Sequence, residues 1–291
     1  MKKLSLFYII LAGALWGTSG VFFTLLKTYS ELSPVQLSAI RNIVAGVAIC
    51  VFFFLTSRKV FKTKLREVAI FAASGLFLFL TSTFYYCSMA TASLSVAVIL
   101  MYTAPVMVMV ASVFLFGEKL TLLKAIAVLA VLAGCGLVTG IMGNARFSAV
   151  GIITGLLAGV SYASYNICTK WAMRRGNNPV TAAVYCFMFS AFFSIVTANP
   201  FALVGAVAQN PAPMIPLSLG VGVITSTLPY LFYTMGMKNL PAGTATALGS
   251  VEPMTATLLS VMVFHEVLTL PSLIGIFMIL ASVIILSLSK E

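Results

Sequence analysis

The chain has 291 residues, of which 61% are hydrophobic and 8% charged, with a formal net charge of +11. A soluble domain carries charge on roughly a quarter of its residues, so this chain cannot coat itself with polar surface and is expected to be an integral membrane protein. Nor does the basic balance mark a nucleic-acid binder, because Lys and Arg sit in short joints between apolar runs and not on one face of a soluble domain.

A helix needs about 20 mostly apolar residues to cross the hydrocarbon layer. Backbone groups there must be satisfied within the segment, so long apolar runs read as helices. The opening "MKKLSLFYIILAGALWG" resembles a secretory signal, but the run continues through "TSGVFFTLL" to Leu26, which predicts an uncleaved first span over 5–26. Further spans are predicted at 34–55, 67–89, 93–116, 121–141, 148–171, 180–198, 214–236, 242–264 and 270–288. Breakers and polar residues fill the joints, such as "KTYSELSP", "SRKVFKTKLRE", "MRRGNNP" and "HEVLTLP". The expected fold class is therefore all-α, with ten transmembrane helices.

Positive residues favour the cytoplasmic side. With the N terminus inside, the inner ends and loops collect Lys2, Lys3, Arg58, Lys59, Lys62, Lys64, Arg66, Lys119, Lys124, Lys170, Arg174, Arg175, Lys238 and Lys290. The outer side holds Lys27 and Arg146, and Arg41 lies within the second span. A multi-pass protein of the cell membrane with both termini cytoplasmic is predicted.

Pro105 and Pro253 lie 148 positions apart, as do Glu118 and Glu266, Tyr85 and Tyr233, and Thr121 and Thr269. The chain thus reads as two repeats, 1–142 and 148–288, of five spans each. Five is odd, so the second repeat enters the membrane from the opposite side. Inverted repeats are a recurring transporter design, because two related halves can rock about a shared midplane site.

The two blocks "PVMVMVASVFLFGE" and "PMTATLLSVMVFHE", with "GALWG" in the first span and the arginine of "SAIRNIVAG" in the second, resemble the drug/metabolite transporter superfamily, specifically its EamA-type ten-helix exporters. The resemblance covers essentially the whole chain; His265 stands where this family usually has glycine. It implies a central cavity lined chiefly by spans one, three, four, six, eight and nine, with five and ten peripheral. It names no single substrate, since relatives move amino acids, sugar phosphates, nucleotide sugars and other metabolites.

Glu252 lies ten residues into the ninth span, or about 15 Å from its inner end at helical rise, where the first repeat has Ala104. An ionised carboxylate at that depth is costly unless it meets water, a partner or a bound cation. It is read either as a site for an amino group or a coupling proton, or as a protonated or paired glutamate stabilising the helix break near Pro253, whose repeat partner is Pro105. Arg41 and Asn42 are candidates for structural pairing at least as much as for substrate contact. Tyr162, Tyr165 and Asn166 share one helix face, which Lys170 continues inward. Trp16, Thr18 and Tyr102 are placed at similar depth. These residues are expected to bind substrate as a set, by ring stacking or attraction of a cation to their faces, against the alternative of a packed core. Tyr85 and Tyr86 near the outer end of the third span, and Tyr230 and Tyr233 toward the inner end of the eighth, are expected either as gates or as interfacial anchors.

Cys50, Cys87, Cys135, Cys168 and Cys186 fall inside apolar runs without metal-ligand spacing, and with one histidine and no aspartate no metal site or catalytic triad is expected. No phosphate-cradling G-x(4)-G-K-[ST] run occurs either, so transport must draw on gradients and no enzyme or cofactor is expected. The leading expectation is a secondary active transporter, exporting small polar or amphipathic metabolites such as amino acids by alternating access. A multidrug or cationic-compound exporter and a non-transporting scaffold are the alternatives. Expected partners are a small-molecule substrate and the lipid bilayer, with no nucleic acid; a homodimer is left open.

Overall fold

The computed structural model describes residues 2–92, 94–139, 148–264 and 267–288. Arg146, His265, Glu266 and Lys290, used above, lie outside the described residues.

The described chain is all-α. Helices α1 (Lys2–Trp16) and α2 (Ser19–Tyr29) form the first span, α3 (Pro34–Thr56) the second and α4 (Leu65–Thr91) the third. The fourth is α5 (Leu94–Met101) plus α6 (Ala104–Phe116), and the fifth is α7 (Leu122–Val138). In the second repeat, α8 (Ala149–Arg174) and α9 (Pro179–Thr197) are the sixth and seventh spans. The short α10 (Pro200–Gln209) precedes an eighth span of α11 (Pro211–Gly222), a π-helical turn (Val223–Thr227) and α12 (Leu228–Met237). The ninth span is α13 (Ala242–Leu248) plus α14 (Val251–Phe264), and α15 (Leu270–Leu288) completes ten. Helix α10 falls where only a joint was expected; Asn199 caps its free N–H groups by accepting from Phe201 and Ala202, and Pro200 suits its first turn.

Helix starts follow local chemistry. Ser33 and Gln36 form a reciprocal capping box at α3, while Thr121, Ser148 and Asn178 accept backbone N–H groups at α7, α8 and α9. Gly117 closes α6 in the left-handed conformation (φ 65°), which only glycine adopts without strain.

The packing repeats with inverted symmetry. The first span packs on the eighth as the sixth packs on the third, and the first meets the ninth as the sixth meets the fourth. Span five against ten, and two against seven, are their own counterparts. Gly134 and Gly275 let α7 and α15 approach so closely that an added Cβ at Gly275 would fall 2.6 Å from the Gly134 carbonyl oxygen. Those helices turn Leu122, Leu129, Phe277 and Ile284 outward as a lipid-facing surface.

Between helices, small polar residues act as glue. Asn42 donates to Ser82 Oγ (2.9 Å) and Ser194 Oγ (3.1 Å), tying spans two, three and seven, and Ser38 meets Thr83 at 3.0 Å. At the basic end, Arg175 grips Glu67 through its Nε and Nη2, and Asn177 donates to the same carboxylate. That bond to Glu67 raises the already high pKa of Arg175, so the contact keeps its charge at physiological pH.

Candidate functional site

Four irregularities in otherwise regular spans converge at one place. The first span breaks after Trp16, the fourth at Tyr102 and Thr103, the ninth at Gly249 and Ser250, and the eighth loosens into the π turn Val223–Thr227. The breaks in spans four and nine fall at corresponding positions of the two repeats. Pro105 and Pro253 stand just after them, in the first turns of α6 and α14, where proline is tolerated. Carbonyls at the breaks gain hydroxyl partners besides their backbone ones: Thr18 Oγ1 donates to Leu15 O (2.7 Å) and Thr103 Oγ1 to Leu100 O (2.6 Å).

Around these breaks lies a cavity in two parts. A vestibule of about 390 Å³ opens at the end away from the basic loops, lined by Gly17, Gly20, Phe23, Tyr85, Tyr86, Met89, Val98, Thr139, Ala256 and Leu268, among others. It narrows at Trp16, Ser19, Tyr85 and Glu252 into a chamber of about 30 Å³, whose remaining walls are Arg41, Thr81, Ser82, Met101, Tyr162 and Tyr230. Glu252 borders both parts, and its Oε2 accepts a hydrogen bond from Tyr102 OH at 2.7 Å. One bond thus joins the broken fourth span to the broken ninth. Arg41 is buried, its Nε donates to Ser226 Oγ in the π turn (2.7 Å), and its guanidinium lies 5.8 Å from the centre of the Tyr230 ring.

Beneath the chamber an aromatic plug closes the path. Trp16 meets Tyr230 and Tyr162 edge-on, with ring centres 4.9 and 6.5 Å apart, and Tyr162 stacks on Tyr165 at 6.2 Å. Tyr233 donates to Asn166 Oδ1 and meets Thr246 at 3.1 Å, while Asn166 Nδ2 donates to Tyr162 O at 2.7 Å. Farther toward the basic end, Lys170 Nζ donates to the carbonyls of Met237 and Leu240, and Glu118 Oε1 accepts from the Ala242 N–H that starts α13. Arg174 reaches the Phe116 carbonyl at 2.8 Å. The molecule is therefore latched at its basic end and open at the other.

The residues singled out from sequence divide accordingly. Trp16, Tyr162 and Glu252 line the cavity, with Tyr102 one bond behind Glu252. Tyr165 and Asn166 belong to the sealed plug, and Thr18 turns its hydroxyl to its own helix. Of the four gate candidates, Tyr85 and Tyr86 line the vestibule. Tyr230 sits in the central chamber beside Arg41, deeper than the inner-end position expected for it, because the π turn and α12 carry it against Trp16. Asn42 is engaged in packing hydrogen bonds, and Lys170 in capping the end of α12. Sequence reasoning passed over Ser19, Thr81, Ser82 and Ser226, since hydroxyls are common in membrane helices and carry no periodic signal.

An inverted-repeat helical bundle with broken spans around a midplane polar cavity is the build of a membrane transporter. The chain belongs to the EamA-like transporter family, which it matches over residues 3–140 and 149–288. It is 25% identical over 280 residues to the uncharacterized transporter YwfM of Bacillus subtilis, covering 96% of this chain and 92% of that one. It is 28% identical over 241 residues to the threonine/homoserine exporter RhtA of Salmonella typhimurium, covering 81% of this chain and 76% of the relative. A protein crystal structure with 17% identity superposes with a TM-score of 0.76, covering 97% of this chain and 95% of the other, which speaks to the fold alone.

Proposed function

We propose that this protein is a secondary active transporter of the cell membrane that exports small polar or amphipathic metabolites such as amino acids. Both termini lie in the cytoplasm, where the excess of positive charge at the basic end belongs. The observation that carries the reading is Glu252 at the junction of vestibule and chamber, on one of two broken spans that it joins through Tyr102. A membrane carboxylate at such a place can exchange a proton for a cationic group, because both compete for the same oxygens. RhtA, named as an exporter of two amino acids, supports the substrate class.

Alternating access is the mechanism that this arrangement supports. The vestibule faces outside, and the aromatic plug with the latches of Lys170, Glu118 and Arg174 seals the inside. Hinging at the breaks of spans one, four and nine would open the plug and close the vestibule around the same site. Candidate substrate residues are Trp16, Tyr162 and Glu252 in this state, with Tyr165 and Asn166 reached once the plug parts.

The aromatic lining with one carboxylate would also suit export of cationic drugs, whereas Arg41 in the same chamber opposes a simple cation. Proteoliposome counterflow decides between these readings. Labelled threonine should exchange with a pH dependence that Glu252→Gln abolishes. If a lipophilic cation exchanges and threonine does not, the amino-acid reading is wrong; if no solute moves at all, so is the transporter mechanism.

A further inference from the structure

We infer that Arg41 receives the carboxylate of the substrate and Glu252 its ammonium group, so that the central chamber selects zwitterionic α-amino acids and orients them with the side chain toward the vestibule. This rests on the transporter reading and assigns the polarity of its site.

Arg41 and Glu252 border one chamber without a direct ion pair between them. Among the described residues the ion pairs are those of Glu67 with Arg66 and Arg175; Arg41 and Glu252 form none with each other. Glu252 is held by Tyr102, and Arg41 by Ser226. Charge at this depth is costly, and a ligand carrying both signs at short separation would stabilise the charged forms of both residues at once.

The order of binding groups follows from which walls each residue shares. Arg41 borders only the inner chamber, which at about 30 Å³ is far smaller than the vestibule of about 390 Å³ and suits the smaller end of a ligand. Glu252 borders both compartments and so meets the next group outward, the ammonium. The larger vestibule is left for the variable side chain. Held through Nε by Ser226, Arg41 turns the rest of its guanidinium toward the Tyr86 and Tyr230 hydroxyls, neutral partners that a carboxylate would replace with a forked, charge-assisted grip. A second observation points the same way. Trp16 borders both compartments, and its buried Nε1 has no hydrogen-bond partner, a donor that a shift of the ring on substrate binding would bring into use.

The test compares L-threonine with L-threoninamide, which lacks the carboxylate, and N-acetyl-L-threonine, which lacks the ammonium, as competitors of threonine counterflow in proteoliposomes. In the wild type both analogues should compete at least about tenfold more weakly than threonine, the loss expected for one charged contact. Arg41→Gln should bring threonine down to the level of threoninamide while preference over the N-acetyl compound persists. Glu252→Gln should do the reverse, and Arg41→Lys should retain part of the carboxylate preference. Should Arg41→Gln fail to fold, the analogue series on the wild type still decides. Threoninamide competing as well as threonine, or Arg41→Gln weakening all three competitors alike, would overturn the assignment while leaving a working transporter; absence of counterflow for every solute would overturn both.

Discussion

Glu252 and its repeat counterpart Ala104 show how one residue breaks the symmetry of a duplicated fold. Equivalent backbone positions flank the two breaks, yet only the second repeat carries a carboxylate, and Tyr102 from the first supplies its hydrogen bond. The proposed site is therefore built from both repeats together. Tyr102→Phe should leave folding intact and slow threonine counterflow by about tenfold or more, because hydrogen bonds to a charged group are worth about 1.5–3 kcal/mol and the carboxylate would lose its positioning. Asn42 is a contrasting case. Its amide holds Ser82 and Ser194 and faces no cavity, so Asn42→Ala should lower stability by about 1 kcal/mol, two membrane hydrogen bonds at roughly 0.6 each, in a reversible denaturation assay. Substrate preference should not change.

The broken helices are the elements on which the proposed alternating access would turn. Span one passes the hinge of span nine at glycines: an added Cβ on Gly13 would lie 2.8 Å from the Gly249 carbonyl oxygen, and one on Gly17 would lie 2.0 Å from Thr255 Oγ1. Such contact is smooth enough to slide and too tight to tolerate a methyl group. Gly17→Ala should cut counterflow strongly, and Thr255→Ala in the same chain should restore part of it by removing the nearest atom. Full activity of the single variant would show that span one does not move against span nine. The π turn in span eight plays a different part, since its Ser226 fixes Arg41. A wider helical turn redirects side chains without ending the helix, which is a common use of such turns at functional sites.

Across the molecule, the two ends differ in how firmly the repeats are tied. At the basic end Lys170, Glu118 and Arg174 each bond a backbone group of another span. Weakening them should shift the population toward the inward-open form. In a chain free of its native cysteines, Lys170→Met with Glu118→Gln should raise labelling of Thr246→Cys by an impermeant thiol reagent from the cytoplasmic side. Labelling of Ala256→Cys from outside should fall in parallel. If both positions respond alike, the latches hold the fold together and do not select a conformation. The same reagent applied to Lys27→Cys and Lys62→Cys checks the orientation, with outer and inner labelling expected respectively.

Membrane residence, the ten spans and the duplication were legible in the linear chain, because lipid demands long apolar runs and a repeat preserves spacing, as with Pro105 and Pro253. Depth was partly legible as well: counting residues at helical rise put Glu252 far from either end of its span, and Trp16, Tyr102 and Tyr162 read as central. Direction around each helix axis was not. Tyr165 and Asn166 share a face with Tyr162 yet lie in the plug, Thr18 bonds its own helix, and Tyr230 is carried inward by a π turn that no apolar pattern reveals. Those outcomes depend on contacts between residues far apart in the chain, such as Arg41 with Ser226 and Tyr102 with Glu252. Periodicity reports what faces lipid; which polar groups meet across the interior is set by how the spans are folded against one another.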